Sequence, residues 1–150
     1  MEYTNINEQD IELLRKAVEA SNRLYVKGIQ EVGAAVRTAV GQIFSGIHFE
    51  TAGSFATVCG EITAICCMVS AGHRDLDTVV AVWRDSNGKH FPLPPCGRCR
   101  EVISDLNPNA WVIVTTLQNH WDVTAIDHLG KVRITELLPL KANELVNNTA

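Results

Sequence analysis

The chain has 150 residues, 46% of them apolar, and carries 13 Lys plus Arg against 17 Asp plus Glu, a formal charge of −4. That length and apolar share fit a single domain over 1–150 with a sizeable core, and the acidic balance argues against polymeric nucleic acid as a partner, because phosphate backbones require a basic surface. No apolar run is long enough to cross a bilayer and the first residues lack the layout of a secretory signal, so no membrane role and a cytoplasmic location are expected.

Between Asn7 and Tyr25, the residues Ile11, Leu14, Val18 and Tyr25 recur at helical intervals, with Glu8, Asp10 and Glu12 near the front, where the helix dipole favours acids. This predicts an amphipathic helix. Val32 to Val40 and Gln42 to Phe49 are short apolar or β-branched segments meeting at Gly41, which predicts a hairpin. From Cys59 to Ala71, Ile62, Ile65, Cys66 and Val69 stand at helical spacing while Ala64, Cys67 and Met68 fill the other faces. That helix is expected to be buried nearly all round and to end at Gly72, with Cys66 and Cys67 as core filler.

Thr78 to Trp83 and Trp111 to Thr116 are continuous apolar runs suited to central strands covered on both faces. Between them, Val102, Ile103 and Leu106 give the segment after Cys96 a helical apolar face, which Asn107-Pro108-Asn109 stops. The βαβ alternation predicts a largely parallel sheet between helices. Trp121 to Val132 reads as loop and a candidate strand, and Thr135 as the cap of a last helix through Leu138.

The chemistry concentrates in Val58-Cys59-Gly60-Glu61 and Pro95-Cys96-Gly97-Arg98-Cys99-Arg100. Five cysteines without an export signal point to reduced thiols used for metal or packing, not to a disulfide framework. Cys96 and Cys99 lie one turn apart at a helix start, so both sulfurs reach the same metal. With Cys59 they offer Zn2+ three thiolates and leave one tetrahedral position for water, and free N–H groups at both helix starts favour the thiolate forms. Three thiolates leave zinc formally at −1, so its water is less acidic and a neighbouring base gains importance. Glu61, two residues from Cys59, fits that role, and Arg100 is expected to offset thiolate charge by donating to sulfur. A closed structural site is the alternative, with His48, His73 or His90 as fourth ligand.

At these residues the chain resembles the cytidine deaminase family of zinc hydrolases, and Pro95 to Arg100 is similar to the blasticidin S deaminase branch. Ser45-Gly46-Ile47-His48-Phe49-Glu50, the Cys-x-Glu helix, the Pro-Cys-x-x-Cys helix and Glu136-Leu137-Leu138-Pro139 occur in the family's order. The resemblance implies a three-layer α/β/α sandwich with a mixed, about five-stranded sheet, usually assembled as a homotetramer in which neighbouring subunits help close each site. It also implies that Cys59, Cys96 and Cys99 bind Zn2+. In that scheme Glu61 moves a proton from the activated water to the pyrimidine ring and the departing amine, as cytosine becomes uracil.

The departures bear on substrate. Nucleoside enzymes of the family usually show Asn-x-Glu-Asn where this chain has His48-Phe49-Glu50-Thr51. Glu50 still accepts from a sugar hydroxyl, His48 donates or accepts according to tautomer, and Phe49 joins them as a candidate substrate contact. Ile62 stands where many of those enzymes carry an Arg near the thiolates; the blasticidin branch similarly has an apolar residue there. No aromatic follows Pro139, so Phe49, Phe55, Trp83 and Phe91 remain candidates for a wall against the base. The leading expectation is a free cytosine nucleoside, cytidine or deoxycytidine, handled in pyrimidine salvage. A cytosine nucleoside antibiotic such as blasticidin S is the alternative substrate, and a non-catalytic zinc-stabilised binding protein is the alternative of another class.

Overall fold

The computed structural model describes residues 1–117 and 122–141. Helix α1 (Glu8–Arg23) starts at a reciprocal cap, in which the Asn7 side chain accepts from the Asp10 N–H at 3.0 Å and the Asp10 carboxylate accepts from the Asn7 N–H at 3.1 Å. Strands β1 (Thr4–Asn5), β2 (Val32–Thr38), β3 (Ile43–Ile47), β4 (Leu76–Arg84), β5 (His90–Pro92), β6 (Trp111–Thr115) and β7 (Leu129–Arg133) make one sheet. Its order is β1-β7-β6-β4-β2-β3, with β5 paired to β4.

The expected hairpin is present, with Gly41 at φ +89° in the turn between β2 and β3. The sheet is mixed, as the resemblance implies, with seven strands where about five are expected; it is not the largely parallel sheet predicted from the βαβ alternation, since among the described residues only β4 and β6 run parallel. The physical reason is that one helical crossover, through α3 (Gly97–Leu106), joins neighbouring strands, whereas short turns join β2 to β3 and β4 to β5 and force antiparallel pairing.

Alternation along the central strands builds the three layers. Ala34, Val36, Val79 and Ala81 face α2 (Gly60–Ser70) and α3, meeting Ile65, Met68 and Ile103. Ala35, Val80, Val82 and Ile113 face α1, meeting Leu13, Leu14 and Ala17. Burying each of the larger aliphatic side chains stabilises by roughly 1.5–3 kcal/mol. Two glycines let the helices come close. A Cβ on Gly33 would stand 2.3 Å from the Ala17 carbonyl oxygen, and one on Gly46 would stand 2.3 Å from Thr63 Oγ1 and 2.4 Å from the Ala64 nitrogen.

A buried ionic cluster ties α1 to the sheet. Asp10 accepts from Lys131 at 2.7 Å and from Arg37 at 3.0 Å, and Arg37 also donates to Asp77 and Thr78 at 2.9 Å each. Burial works against the Asp10 carboxylate, but Lys131, the Asn7 N–H and Arg37 outweigh it and hold its pKa below the usual value.

Helix α2 spans nearly the expected range, yet it is not buried all round. Cys66, Cys67 and Val69 are exposed because only one side of the helix meets the sheet. The two cysteines are therefore surface residues, not core filler. The last helix, α4 (Ile134–Leu137), has Arg133 at its cap, so Thr135 lies inside it. Trp121 lies outside the described residues. No helix among them is long and apolar enough to cross a membrane.

Candidate active site

Helices α2 and α3 both begin at a cysteine. Cys59 is the cap of α2 and Cys96 the cap of α3, with Cys99 in the first turn of α3 and fully buried. Pro94 and Pro95 precede Cys96 and keep the chain extended up to the helix. Sγ of Cys59 lies 3.4 Å from Sγ of Cys96, which lies 3.5 Å from Sγ of Cys99, and all three fall within 4.8 Å of one another. A tetrahedral zinc with Zn–S of about 2.3 Å separates its thiolates by roughly 3.8 Å, so the trio fits one ion.

The electrostatics say the same. Burial, then the Glu61 carboxylate and the two neighbouring sulfurs, push the Cys99 thiol far above the ordinary thiol range. Burial and the Cys96 thiol push Cys59 up as well. For Cys96, burial is outweighed by bonds from the Cys99 N–H and from the other two thiols, and its pKa falls. Burial thus works against the thiolate forms of Cys59 and Cys99, and a bound cation would offset that cost. Among the described residues the cluster holds three cysteines and no histidine, so the closed site with His48, His73 or His90 is not built.

Glu61, in the first turn of α2, is 5% exposed and shares a cavity of about 220 Å³ with Cys59 and Cys96. Burial raises its pKa, and the opposing pull of its own backbone N–H and the Cys99 thiol is smaller. Val32, Leu93 and Pro94 give this cavity its apolar walls. Thr63 donates to the Ile47 carbonyl at 3.0 Å, which holds the helix start against β3.

Arg100 does not meet the sulfurs. Its guanidinium donates to the carbonyl oxygens of Pro95 at 2.7 Å and Leu137 at 2.9 Å. The cation on sulfur is Arg98, whose Nη2 lies 3.7 Å from Cys59 Sγ and 2.7 Å from the Thr57 carbonyl oxygen. Two residues along a helix differ by about 200° in direction, so the orientation of α3 against α2 selects between them. Arg98 was visible inside the Cys-x-x-Cys motif, but its direction was not.

His48 and Glu50 both line the cavity, together with Cys59 and Cys96, and Phe49 does not. In an extended segment successive side chains point to opposite sides, so Phe49, which bridges Val58 and is 40% exposed, turns away from its neighbours' side. Phe55, Trp83 and Phe91 are also absent from the cavity wall; Trp83 and Phe91 stack on each other at 5.5 Å. His48 is 8% exposed, with Nδ1 accepting from the backbone N–H groups of Glu31 at 3.0 Å and Val32 at 2.9 Å. Its Nε2 stands 3.5 Å from Glu50 Oε1, and Thr57 Oγ1 donates to Glu50 Oε2 at 2.9 Å. Sequence reasoning missed Thr57 and Glu31, which no local motif marks.

Residues 7–115 match the family model described as the cytidine and deoxycytidylate deaminase zinc-binding region. The chain is 39% identical over 145 residues to the blasticidin-S deaminase of Bacillus cereus, covering 94% of this chain and 97% of that protein. It is 33% identical over 129 residues to a cytidine deaminase of Halalkalibacterium halodurans, covering 85% and 89%. Among solved structures, the cytidine deaminase of Mycobacterium leprae superposes with a TM-score of 0.68 at 25% identity, covering 90% of this chain and 100% of that one.

Proposed function

This chain belongs to the cytidine and deoxycytidylate deaminase family of zinc-dependent hydrolases, and from that premise we propose that it converts a free cytosine nucleoside, cytidine or deoxycytidine, into the uracil nucleoside and ammonia. The observation that carries this reading is Glu61, a buried carboxyl group in the wall of the cavity that Cys59 and Cys96, two of the three clustered cysteines, also line. Burial raises its proton affinity, which suits a group that must both take and return a proton.

Cys59, Cys96 and Cys99 would hold Zn2+, which when bound would supply Lewis-acid activation of water. Glu61 takes a proton from the attacking water as its oxygen adds to C4 of the ring, and passes it to the ring nitrogen. It then relays the second proton to the exocyclic amine as the C–N bond breaks, so that cytosine plus water gives uracil plus ammonia. Arg98 stabilises the charge on Cys59. Glu50 and His48 take the sugar. Two carboxylates line the cavity and neither Lys nor Arg does, which disfavours a phosphorylated substrate.

A second substrate, a cytosine nucleoside antibiotic, is favoured by the 39% identity to the Bacillus cereus blasticidin-S deaminase. We place the protein in pyrimidine salvage in the cytoplasm, as a homotetramer. The exposed, uncharged stripe of Cys66, Cys67 and Val69 on α2 supports assembly, as does a described cavity wall without an aromatic ring to cover the base other than His48.

Ammonia release from zinc-loaded protein given cytidine, deoxycytidine, cytidine monophosphate or blasticidin S tests the proposal. Release from the two free nucleosides is expected. Release from blasticidin S alone would transfer the assignment to the second substrate, and release from none would overturn both.

A further inference from the structure

We propose that Thr57 is a positioning residue: its hydroxyl fixes the Glu50 carboxylate in the cavity wall, while its backbone carbonyl is itself fixed by Arg98 beside the Cys59 sulfur. The ligand that Glu50 meets rests on the deaminase reading above; the fixing of Glu50 does not.

The loop from Glu50 to Thr57 is closed at its base by a pair of backbone bonds, the Phe49 N–H to the Val58 carbonyl at 3.1 Å and the Val58 N–H to the Phe49 carbonyl at 3.2 Å. Thr57 therefore stands across from Glu50, one step inside that antiparallel closure. Its hydroxyl has two partners of opposite kind. A carboxylate accepts, so Oγ1 donates its proton to Glu50 Oε2 at 2.9 Å; a backbone N–H donates, so the same oxygen accepts from Thr51 at 3.3 Å. The two partners thus fix which way the hydroxyl points.

Glu50 needs such a hold. Its side chain is 46% exposed, and a long side chain left free at that exposure averages over rotamers, whose loss on binding weakens any bond it makes to a ligand. With Oε2 tied to Thr57, the other oxygen stands 3.5 Å from His48 Nε2, and Thr57, Glu50 and His48 all line the cavity. The backbone of Thr57 is held independently of its hydroxyl. Its N–H donates to the Ser54 carbonyl at 3.2 Å, and its carbonyl accepts at 2.7 Å from Arg98 Nη2, the nitrogen that also lies 3.7 Å from Cys59 Sγ. Removing the hydroxyl therefore releases Glu50 and leaves the Arg98 contacts with the carbonyl and the sulfur in place.

Two measurements decide it. Three-bond couplings about the Glu50 Cα–Cβ bond, read by NMR on zinc-loaded protein without substrate, should report one rotamer in the unmutated protein and in Thr57→Ser. They should report averaging in Thr57→Val, which keeps the shape of the side chain and loses the hydroxyl. A single rotamer in Thr57→Val, or averaging in the unmutated protein, overturns the inference. With cytidine as substrate, Thr57→Val should raise KM about tenfold, the scale of a lost hydrogen bond to a charged group, with kcat within about twofold and zinc retained, and Thr57→Ser should restore KM. A fall in kcat with KM unmoved, loss of zinc from Thr57→Val, or no rescue by Thr57→Ser overturns the inference as well. Couplings as expected, with no ammonia released by the unmutated protein, overturn the deaminase reading instead.

Discussion

Arg98 reaches from α3 to within 3.7 Å of Cys59 Sγ at the start of α2, and the same nitrogen donates to the Thr57 carbonyl oxygen at 2.7 Å. One guanidinium therefore ties together the two helix starts that carry the thiols. It also sets a positive charge where three thiolates around a dication leave a net negative one.

On this arrangement, Arg98→Ala should weaken zinc retention by about 10- to 100-fold, read by competition with a chelator, and Arg98→Lys should weaken it less. Arg100→Ala should retain zinc and instead lower the melting temperature, since it frees the Pro95 and Leu137 carbonyls. Equal zinc loss in the two alanine variants would refute the assignment of the sulfur contact to Arg98.

Glu61→Gln removes the proposed proton carrier and no sulfur ligand. Turnover should fall by about 10²- to 10⁴-fold with one zinc still bound per chain. Cys96→Ala should instead lose metal and stability together, because a three-sulfur site joining two helices loses a corner. Atomic absorption beside ammonia release separates the two outcomes, and undiminished turnover in Glu61→Gln would remove Glu61 from the chemistry.

Gly46→Ala should destabilise by about 1–3 kcal/mol, the range for overpacking, because its Cβ would collide with the Ala64 nitrogen at 2.4 Å and Thr63 Oγ1 at 2.3 Å. The collision pushes α2 from β3 and carries Cys59 and Glu61 with it, so activity should fall with stability. Denaturant unfolding curves give the first quantity, and a wild-type midpoint would rule out the close approach.

Asp10 has a folded-state pKa below its ordinary value of 3.8. For an acid held low, the stabilisation is full above the unfolded value and is lost as pH falls through the folded one. Asp10→Asn should cost about 3 kcal/mol near neutral pH, because Lys131 stays buried without its anion and Arg37 keeps only Asp77. Below 3.8 its stability should fall less steeply than that of the wild type. Parallel slopes in urea unfolding across acid pH would contradict this.

Much of the fold was legible because its signals are local. Asn7 and Asp10 mark a helix start three residues apart, Gly41 marks a turn, and the apolar runs from Thr78 and Trp111 mark strands covered on both faces. The parallel sheet expected from the βαβ alternation was wrong because strand neighbours depend on which connections are long, and β7 returns beside β6 through residues with no strong period. Likewise, the apolar composition of α2 told nothing about which side the sheet would cover.

The sequence by itself determined the chemical inventory: three thiols, one carboxylate two residues from the first of them, and helix starts beneath the cysteines. Those relations lie within a turn of helix, where backbone geometry alone places side chains. Only the tertiary structure decided that Cys59 and Cys96, 37 residues apart, meet at 3.4 Å. It likewise decided that Arg98 and not Arg100 touches sulfur, and that His48 lines the cavity while Phe49 does not. Each of these is a choice of direction, and direction is set by how one element is rotated against another when their apolar faces close together.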